Sequence, residues 1–242
     1  FVKYKGFNDV RGGGHFSGRL TACMVAAGNI CKQILMAKGV QIGSHMEQLY
    51  NLKDIPFSSD INVLNEQIQQ VNQMKFAVLD AAMEEPMKEA ALQEQKEGDA
   101  IGGILEPAIT GYPAGIGDPI FGALESTLTQ ILYSIPAVKG VSFGLGFGFA
   151  NLKGSQANDP FYFDGQIRTT TNNNAGINGG ISNGMPILIH TCVKPTSSIY
   201  KVQDSVDYST KQNVKLQIVG RHDPCIIHRA RIVVDNMLSF GL

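Results

Sequence analysis

Apolar residues recur at helical spacing after Ser17, through Met24, Val25, Ile30, Ile34 and Leu35, and this pattern predicts a helix over residues 17–38. Ser17 can cap its first N–H groups and Gly39 closes it. Residues 40–49 read as extended, and 54–59 as a polar loop carrying a proline. A second helical stretch over 63–98 is expected in two pieces with a break near Glu85-Pro86, because proline inside a helix removes a donor and clashes with the preceding turn. Its Glu and Gln content marks it as a solvated outer layer. Residues 100–110 suit a strand leading into a turn-rich loop at 111–118. A helix over 119–134 follows, with Pro119 at a tolerated first-turn position and Asp118 as its cap. The glycine-laced, β-branched run 138–149 reads as a strand that lets a backbone or ligand come close. The polar stretch 152–184 is too long for an idle connection and is the best candidate for a binding lid. Residues 187–193 and 214–219 read as buried strands, and 225–238 as a final amphipathic helix.

Helices and strands alternate here without a repeated βαβ period, so the class expected is α+β. A length of 242 residues with 43% hydrophobic composition suffices for a sizeable core, read as one domain over residues 1–242. The 20 basic and 21 acidic side chains nearly cancel, which argues against nucleic acid as a partner and makes any anion site local. Cys23, Cys31, Cys192 and Cys225 form no CxxC pair and no His/Cys ligand spacing, so neither a metal site nor a disulfide framework is expected. That usage suits a reducing, cytoplasmic setting. The most apolar helical run is interrupted by Gly28, Asn29, Lys32 and Gln33, so no membrane span is expected. Phe1 is neither an initiator methionine nor the start of a signal peptide, and is not expected to be the biological start.

Four segments combine glycines or hydroxyls with cations or clustered amides, a recipe that suits a phosphate. In the first, Arg11-Gly12-Gly13-Gly14-His15-Phe16-Ser17-Gly18-Arg19, glycines precede a helix N-terminus that offers N–H groups and a positive dipole. Such a turn is also an ordinary way to start a helix, and the segment matches neither GxGxxG nor GxxxxGK[ST]. The second, Asn172-Asn173-Asn174 through Gly179-Gly180 to Gly184, is either a plain flexible loop or a source of main-chain amides for a ligand. The third, Lys194-Pro195-Thr196-Ser197-Ser198, follows a predicted strand and is either a strand exit or a phosphate cradle. In the fourth, Gly220-Arg221-His222-Asp223-Pro224-Cys225, Arg221 can pair bidentately with phosphate or carboxylate, while His222 and Asp223 can manage a proton. The plainer reading makes Asp223 a helix cap and His222 a surface residue. Neither Ser17 nor Cys225 has a base and an orienter around it, which argues against a hydrolase triad.

Taken in order, RGGGHFSGRLTA, GYPAGIGDPIFGALES, SIPAVKGVSFG, NNNAGINGGISNG, KPTSSI and GRHDPC resemble the signature blocks of the chorismate synthase family, over nearly the whole chain. The resemblance implies antiparallel sheets enclosing central helices, a homotetramer, and a lyase that uses reduced FMN to convert 5-enolpyruvylshikimate 3-phosphate to chorismate by 1,4-anti elimination. NADP and a flavin reductase activity, built in or supplied by a separate partner, belong to the same expectation. Position by position it assigns His15, Phe16, Ser17, Pro136, Ala137, Gly179, Lys194, Pro195, Thr196, Ser197, Ser198 and Arg221 to the flavin. Ser17, Arg19 and Arg221 are expected to face the substrate, and Asp223, with Arg221, to be catalytic.

His15 stands where many members have Arg, and Pro136 where some have Asn. The family's two catalytic histidines belong to GESHG-like and RPxHAD-like motifs ahead of the segment that opens this chain. The chain is therefore expected to be incomplete at both ends and to turn over little by itself. Two rival classes stand beside this reading. A phosphate-handling transferase or nucleotide binder needs an acidic metal-holding pair, which Asp118 and Asp223 do not make. The other rival is a flavin-binding or assembly module that keeps the scaffold without the chemistry.

Overall fold

The computed structural model describes residues 2–9 and 13–242, so Arg11 and Gly12 of the first glycine segment lie outside the described residues. The helices are α1 (Thr21–Ala37), α2 (Ile61–Gln73), α3 (Glu84–Glu97), α4 (Leu124–Tyr133), the single turn α5 (Gly154–Ala157) and α6 (Ile227–Gly241). The first four strands are β1 (Gln41–Leu49), β2 (Leu52–Lys53), β3 (Gly103–Thr110) and β4 (Val138–Phe143). Short strands β5 (Phe161–Phe163), β6 (Ile167–Thr169), β7 (Ile177–Asn178) and β8 (Ile181–Ser182) follow. The last are β9 (Ile187–Val193), β10 (Gln203–Asp207) and β11 (Gln212–Leu216).

One five-stranded sheet, in the order β2-β1-β3-β9-β4, organises the molecule, and β5-β6, β7-β8 and β10-β11 form separate two-stranded ribbons. Among the described residues all pairings are antiparallel, so the α+β class and the antiparallel architecture expected from the sequence hold. Side chains alternate across a strand, and the two faces are covered by different helices. Ile42, Met46, Leu105, Ile109, Ile187 and Ile189 face a core shared with α4 and α6 through Leu128, Leu132, Val234 and Leu238. On the opposite face Ala108 packs with Phe57 and with Leu64, Ile68 and Val71 of α2. Helix α1 lies along α6, where Gly28 meets the backbone of Asn236 so closely that a Cβ there would sit 2.1 Å from the Asn236 carbonyl oxygen.

Several boundaries differ from the sequence expectations, each for a local reason. Ser17 caps a short 3-10 turn, Gly18–Leu20, that precedes α1, accepting from the Arg19 N–H. Of the apolar positions that predicted α1, Ile30 and Ile34 are exposed, because α1 buries only Thr21 and Gly28 among the described residues. By length and composition alone the stretch Gly18–Ala37 reaches what a membrane crossing needs, which the sequence reading had set aside. Here α1 packs along α6, and Lys32 donates to Asn72 at the end of α2.

The helical break falls at residues 74–80, not at Glu85-Pro86, because Asp80 caps a new start and Pro86 sits in the first turn of α3, where it costs no hydrogen bond. Asp118 does not cap α4; the N–H of Leu124 is taken by the Gly180 carbonyl instead. The strand expected over 138–149 ends at Phe143, since Gly144 and Gly146 turn the chain at positive φ into a 3-10 segment, Gly146–Asn151. The run 214–219 is not a buried strand: β11 is exposed along its length and pairs only with β10.

The stretch 152–184, expected as a lid, is folded onto itself around one buried carboxylate. Asp159 accepts from the Thr171 hydroxyl and the Asn173 N–H, and from both the N–H and the side-chain amide of Asn174. Burial pushes its pKa up, and those hydrogen bonds outweigh burial and hold it below the ordinary value. The asparagines Asn173 and Asn174 thus serve the loop's own geometry, while Arg168, Asn172 and Asn173 of the same stretch also line a cavity.

Candidate active site

Three of the sequence-selected segments meet at one end of the sheet. Strand β9 ends at Val193, and the next residue, Lys194, donates its N–H to the carbonyl of Ala137, the residue before β4. Ala137 holds φ +75°, a left-handed conformation that turns the chain out of Pro136 into the strand. Thr196 then reaches across to the loop after β11, its hydroxyl donating to the Asp223 carbonyl at 3.0 Å. That loop is fixed from below as Ile101 donates to Pro224. Ala137, Lys194, Thr196 and Asp223, scattered in sequence, are thus tied by direct hydrogen bonds.

A cavity of about 880 Å³ opens beside this junction. Its wall includes Ser17, Arg19, Pro136, Arg221, His222 and Asp223. Arg229 of α6 also lines it and is paired with the Asp223 carboxylate. The second Asp223 oxygen accepts from the Cys225 N–H, so Asp223 is a loop anchor as well as a wall residue. Burial pushes the Cys225 thiol up, which leaves it protonated beneath the loop. Arg19 folds back on the Ser17 hydroxyl through its Nε at 3.1 Å. Arg221 stands on the wall itself as a cation suited to a phosphorylated ligand, whereas Lys194 lies on the adjoining segment and is not part of the wall.

The other selected residues lie apart from that wall. His15 and Phe16 stack on each other with ring centroids 4.2 Å apart, and His15 Nε2 lies 3.1 Å from the Tyr4 hydroxyl. Gly179, at φ +60°, occupies the tight turn between β7 and β8 with open space around it, and it is the next residue, Gly180, that meets Ala123 before α4. Pro195, Ser197 and Ser198 are carried by the exposed segment beyond Lys194. Sequence reading missed Arg229, which sits inside a helix with no motif around it, and Tyr200, which follows the KPTSSI segment. Tyr200 donates to the Gly220 carbonyl and packs edge-on against His222.

A second cavity, of about 950 Å³, lies on the sheet face that α2 covers and is lined by Ser58, Glu106, Arg168, Asn172 and His190. His190 is held above its ordinary pKa by the Glu47 carboxylate 2.7 Å away. Among the described residues no group of three or more His, Cys, Asp or Glu side chains has the placement to hold a metal ion.

Comparison with known proteins places this geometry in a family. A family model described as chorismate synthase matches residues 1–242. A chorismate synthase of Dehalococcoides mccartyi is 44% identical over 244 residues, covering 100% of this chain and 65% of the relative. Those of Korarchaeum cryptofilum and Thermococcus kodakarensis are each 40% identical, covering 100% and 99% of this chain and 66% and 65% of the relatives. This chain therefore spans just under two thirds of the length of the curated relatives it matches. A solved structure titled as the crystal structure of chorismate synthase superposes with a TM-score of 0.76 at 25% identity, covering 93% of this chain and 62% of that one. With a whole-chain family match and relatives of this similarity, the chain belongs to the chorismate synthase family.

Proposed function

We propose that this chain carries a flavin and substrate site of a soluble lyase of aromatic amino-acid biosynthesis. The reaction converts 5-enolpyruvylshikimate 3-phosphate to chorismate and phosphate by 1,4-anti elimination. The observation that carries this reading is the convergence of Ser17 and Arg19 with Arg221 and Asp223 on one cavity, although the two pairs lie near opposite ends of the sequence. The cavity wall fits a phosphorylated flavin in chemistry, with an apolar edge at Pro136, a hydroxyl at Ser17 and cations at Arg19 and Arg221, and Lys194 and Thr196 stand on the adjoining segment that Thr196 ties to Asp223. When bound, reduced FMN supplies electron density to the allylic phosphate as it departs and takes it back, so no net redox change occurs.

The chain's own part is binding and charge control. Lys194, Pro195, Thr196, Ser197 and Ser198 hold the FMN phosphate, with His15, Phe16, Ala137 and Gly179 as further flavin contacts. Arg19 and Arg221, with Ser17, take the substrate's phosphate and carboxylates and stabilise the charge that grows on the leaving group. Asp223, fixed by Arg229 and the Cys225 N–H, holds a proton or its electrostatic equivalent beside the ring. Assembly as a homotetramer and delivery of reduced flavin by a separate reductase belong to the same reading.

Anaerobic titration with reduced FMN, followed by chorismate formation from 5-enolpyruvylshikimate 3-phosphate, tests it. Saturable flavin binding that is lost in Arg221→Ala is the expected result. Flavin binding without chorismate leaves a flavin-binding or assembly role, and no flavin binding removes the reading.

A further inference from the structure

We propose that His222 is a further ligand-contacting residue of the first cavity, presenting Nδ1 as a hydrogen-bond acceptor, and that Tyr200 is its positioning residue. This rests on the reading that the cavity takes flavin and substrate.

The ring's chemistry follows from its partner. Nε2 lies 3.0 Å from the Ile218 carbonyl oxygen, which can only accept, so Nε2 carries the hydrogen. In the neutral ring the other nitrogen is then an acceptor. Nδ1 has no partner among the described residues, and His222 lines the cavity between Arg221 and Asp223. Beside the donors of Arg19, Arg221 and Arg229, and with the Asp223 carboxylate already engaged by Arg229 and the Cys225 N–H, the wall thereby gains an acceptor suited to an N–H or O–H of a ligand. A flavin ring offers the first and a hydroxylated substrate the second.

Tyr200 sets where that nitrogen stands. Its ring meets the imidazole edge-on, with centroids 4.4 Å apart at 76°, and its hydroxyl donates to the carbonyl of Gly220, two residues before His222. Tyr200 is in turn held on three sides. Its N–H donates to the Gly98 carbonyl, Gln217 donates to its own carbonyl, and the neighbouring Lys201 is paired with Asp99 at 2.7 Å. Gly98 is required at that contact: at φ +71° it ends α3, and a Cβ on it would lie 3.0 Å from the Tyr200 Cβ. Tyr200 thus joins the end of α3, through its backbone and Cβ, to the loop that bears His222, through its ring and hydroxyl.

Two substitutions separate ligand contact from a structural strut. In His222→Asn the amide oxygen can replace Nδ1 as acceptor while the bond to Ile218 is lost. In His222→Gln the amide nitrogen can keep the Ile218 bond while the acceptor near the backbone is lost. FMN and 5-enolpyruvylshikimate 3-phosphate are titrated separately, with thermal melting alongside. The expected result is that His222→Gln keeps its melting temperature but loses about tenfold in affinity for one of the two probes, whereas His222→Asn keeps that affinity. The probe that responds identifies the ligand group. Tyr200→Phe, which keeps the ring and removes the hydroxyl, should weaken the same probe in the native background and add nothing to His222→Gln. In the free protein, nitrogen chemical shifts of His222 should report hydrogen on Nε2, and Nδ1 should shift with the responding probe. The reverse ranking, with Gln retaining affinity and Asn losing stability, makes His222 a strut and overturns the proposal. A native protein that binds neither probe overturns both this inference and the reading beneath it.

Discussion

Nε2 of His45 lies 2.7 Å from Oε2 of Glu106, directly across the β1–β3 pairing, with both side chains buried on the face that α2 covers. The other ring nitrogen lies 2.9 Å from Asp54 Oδ2, which also accepts the Leu79 N–H, so each nitrogen faces an acceptor and the ring is a charged imidazolium. Burial alone would lower the His45 pKa, but the hydrogen bonds that the ring donates to Asp54 and Glu106 outweigh it and hold it above the ordinary 6.5. A folded-state value above the unfolded one stabilises fully below the unfolded pKa and is lost as pH rises through the folded pKa. The partner Asp54 is held below 3.8, as its hydrogen bonds outweigh burial, so its contribution is lost instead on acidification. His45→Gln should therefore cost about 3–5 kcal/mol at mildly acidic pH, because it strands two buried carboxylates. That gap should narrow as pH rises. Urea unfolding of both proteins at about pH 6 and about pH 9 checks this; a pH-independent gap would mean that the ring is neutral.

The α1–α6 crossing gives a second expectation. Gly28→Ala places a methyl group 2.1 Å from the Asn236 carbonyl oxygen, which belongs to helix backbone and cannot swing aside. Helix α1 must lift from α6, and a loss of about 1–3 kcal/mol or more follows, read as a lower melting temperature. Gly39→Ala has open space around it and is strained only by its positive φ, so it should cost less.

Lys194 and Asp223 should fail in different ways. On the proposed assignment, Lys194→Ala should remove one charge-assisted contact to the flavin phosphate, on the order of 1.5–3 kcal/mol, a tenfold or greater loss of FMN affinity that excess FMN rescues. Asp223→Asn should leave FMN affinity nearly intact while lowering turnover, because a proton or its electrostatic equivalent is needed at that place only during reaction. Flavin fluorescence quenching beside anaerobic turnover separates them. Equal loss of flavin binding would make Asp223 the anchor of its loop and nothing more.

Asp159→Ala removes the acceptor for four hydrogen bonds in the stretch 152–184. The donors of Thr171, Asn173 and Asn174 lose a buried partner, and local opening follows at a cost of about 1–3 kcal/mol. Limited proteolysis should cut the variant within 152–184 first. Since the Asp159 pKa is depressed below 3.8, the native protein should show the same susceptibility as pH falls through the folded-state value.

The elements legible in the sequence were those whose own residues decide them. Strand β9 was marked by Ile187, Leu188, Ile189 and Val193, and α6 by its spacing, because both are buried largely through their own side chains. What escaped was decided by distant partners. The start of α4 is capped by Gly180, far along the chain, where local sequence offered Asp118. The β11 segment has the alternation of a strand but finds only β10 to pair with. At the candidate site, motif residues such as Arg221 and Asp223 were legible, whereas Arg229 and Tyr200 matter only because the fold sets them against the motif loops.

Val193 is paired on both sides at once, to Gly103 of β3 and to Val138 of β4, immediately before Lys194. The segment proposed to hold the cofactor phosphate thus takes its position only after three stretches, separated by tens of residues each, have met. Pairing of this kind is slow compared with helix formation, because long loops must close before any contact rewards them. Helices α1 to α4 can flicker into shape while the chain is still being made, yet the hook at Lys194 waits for the last of these three strands to be synthesised. On the proposed assignment, the capacity to capture flavin would be a clock for maturation, arriving with the completed sheet and not with the first compact form of the chain.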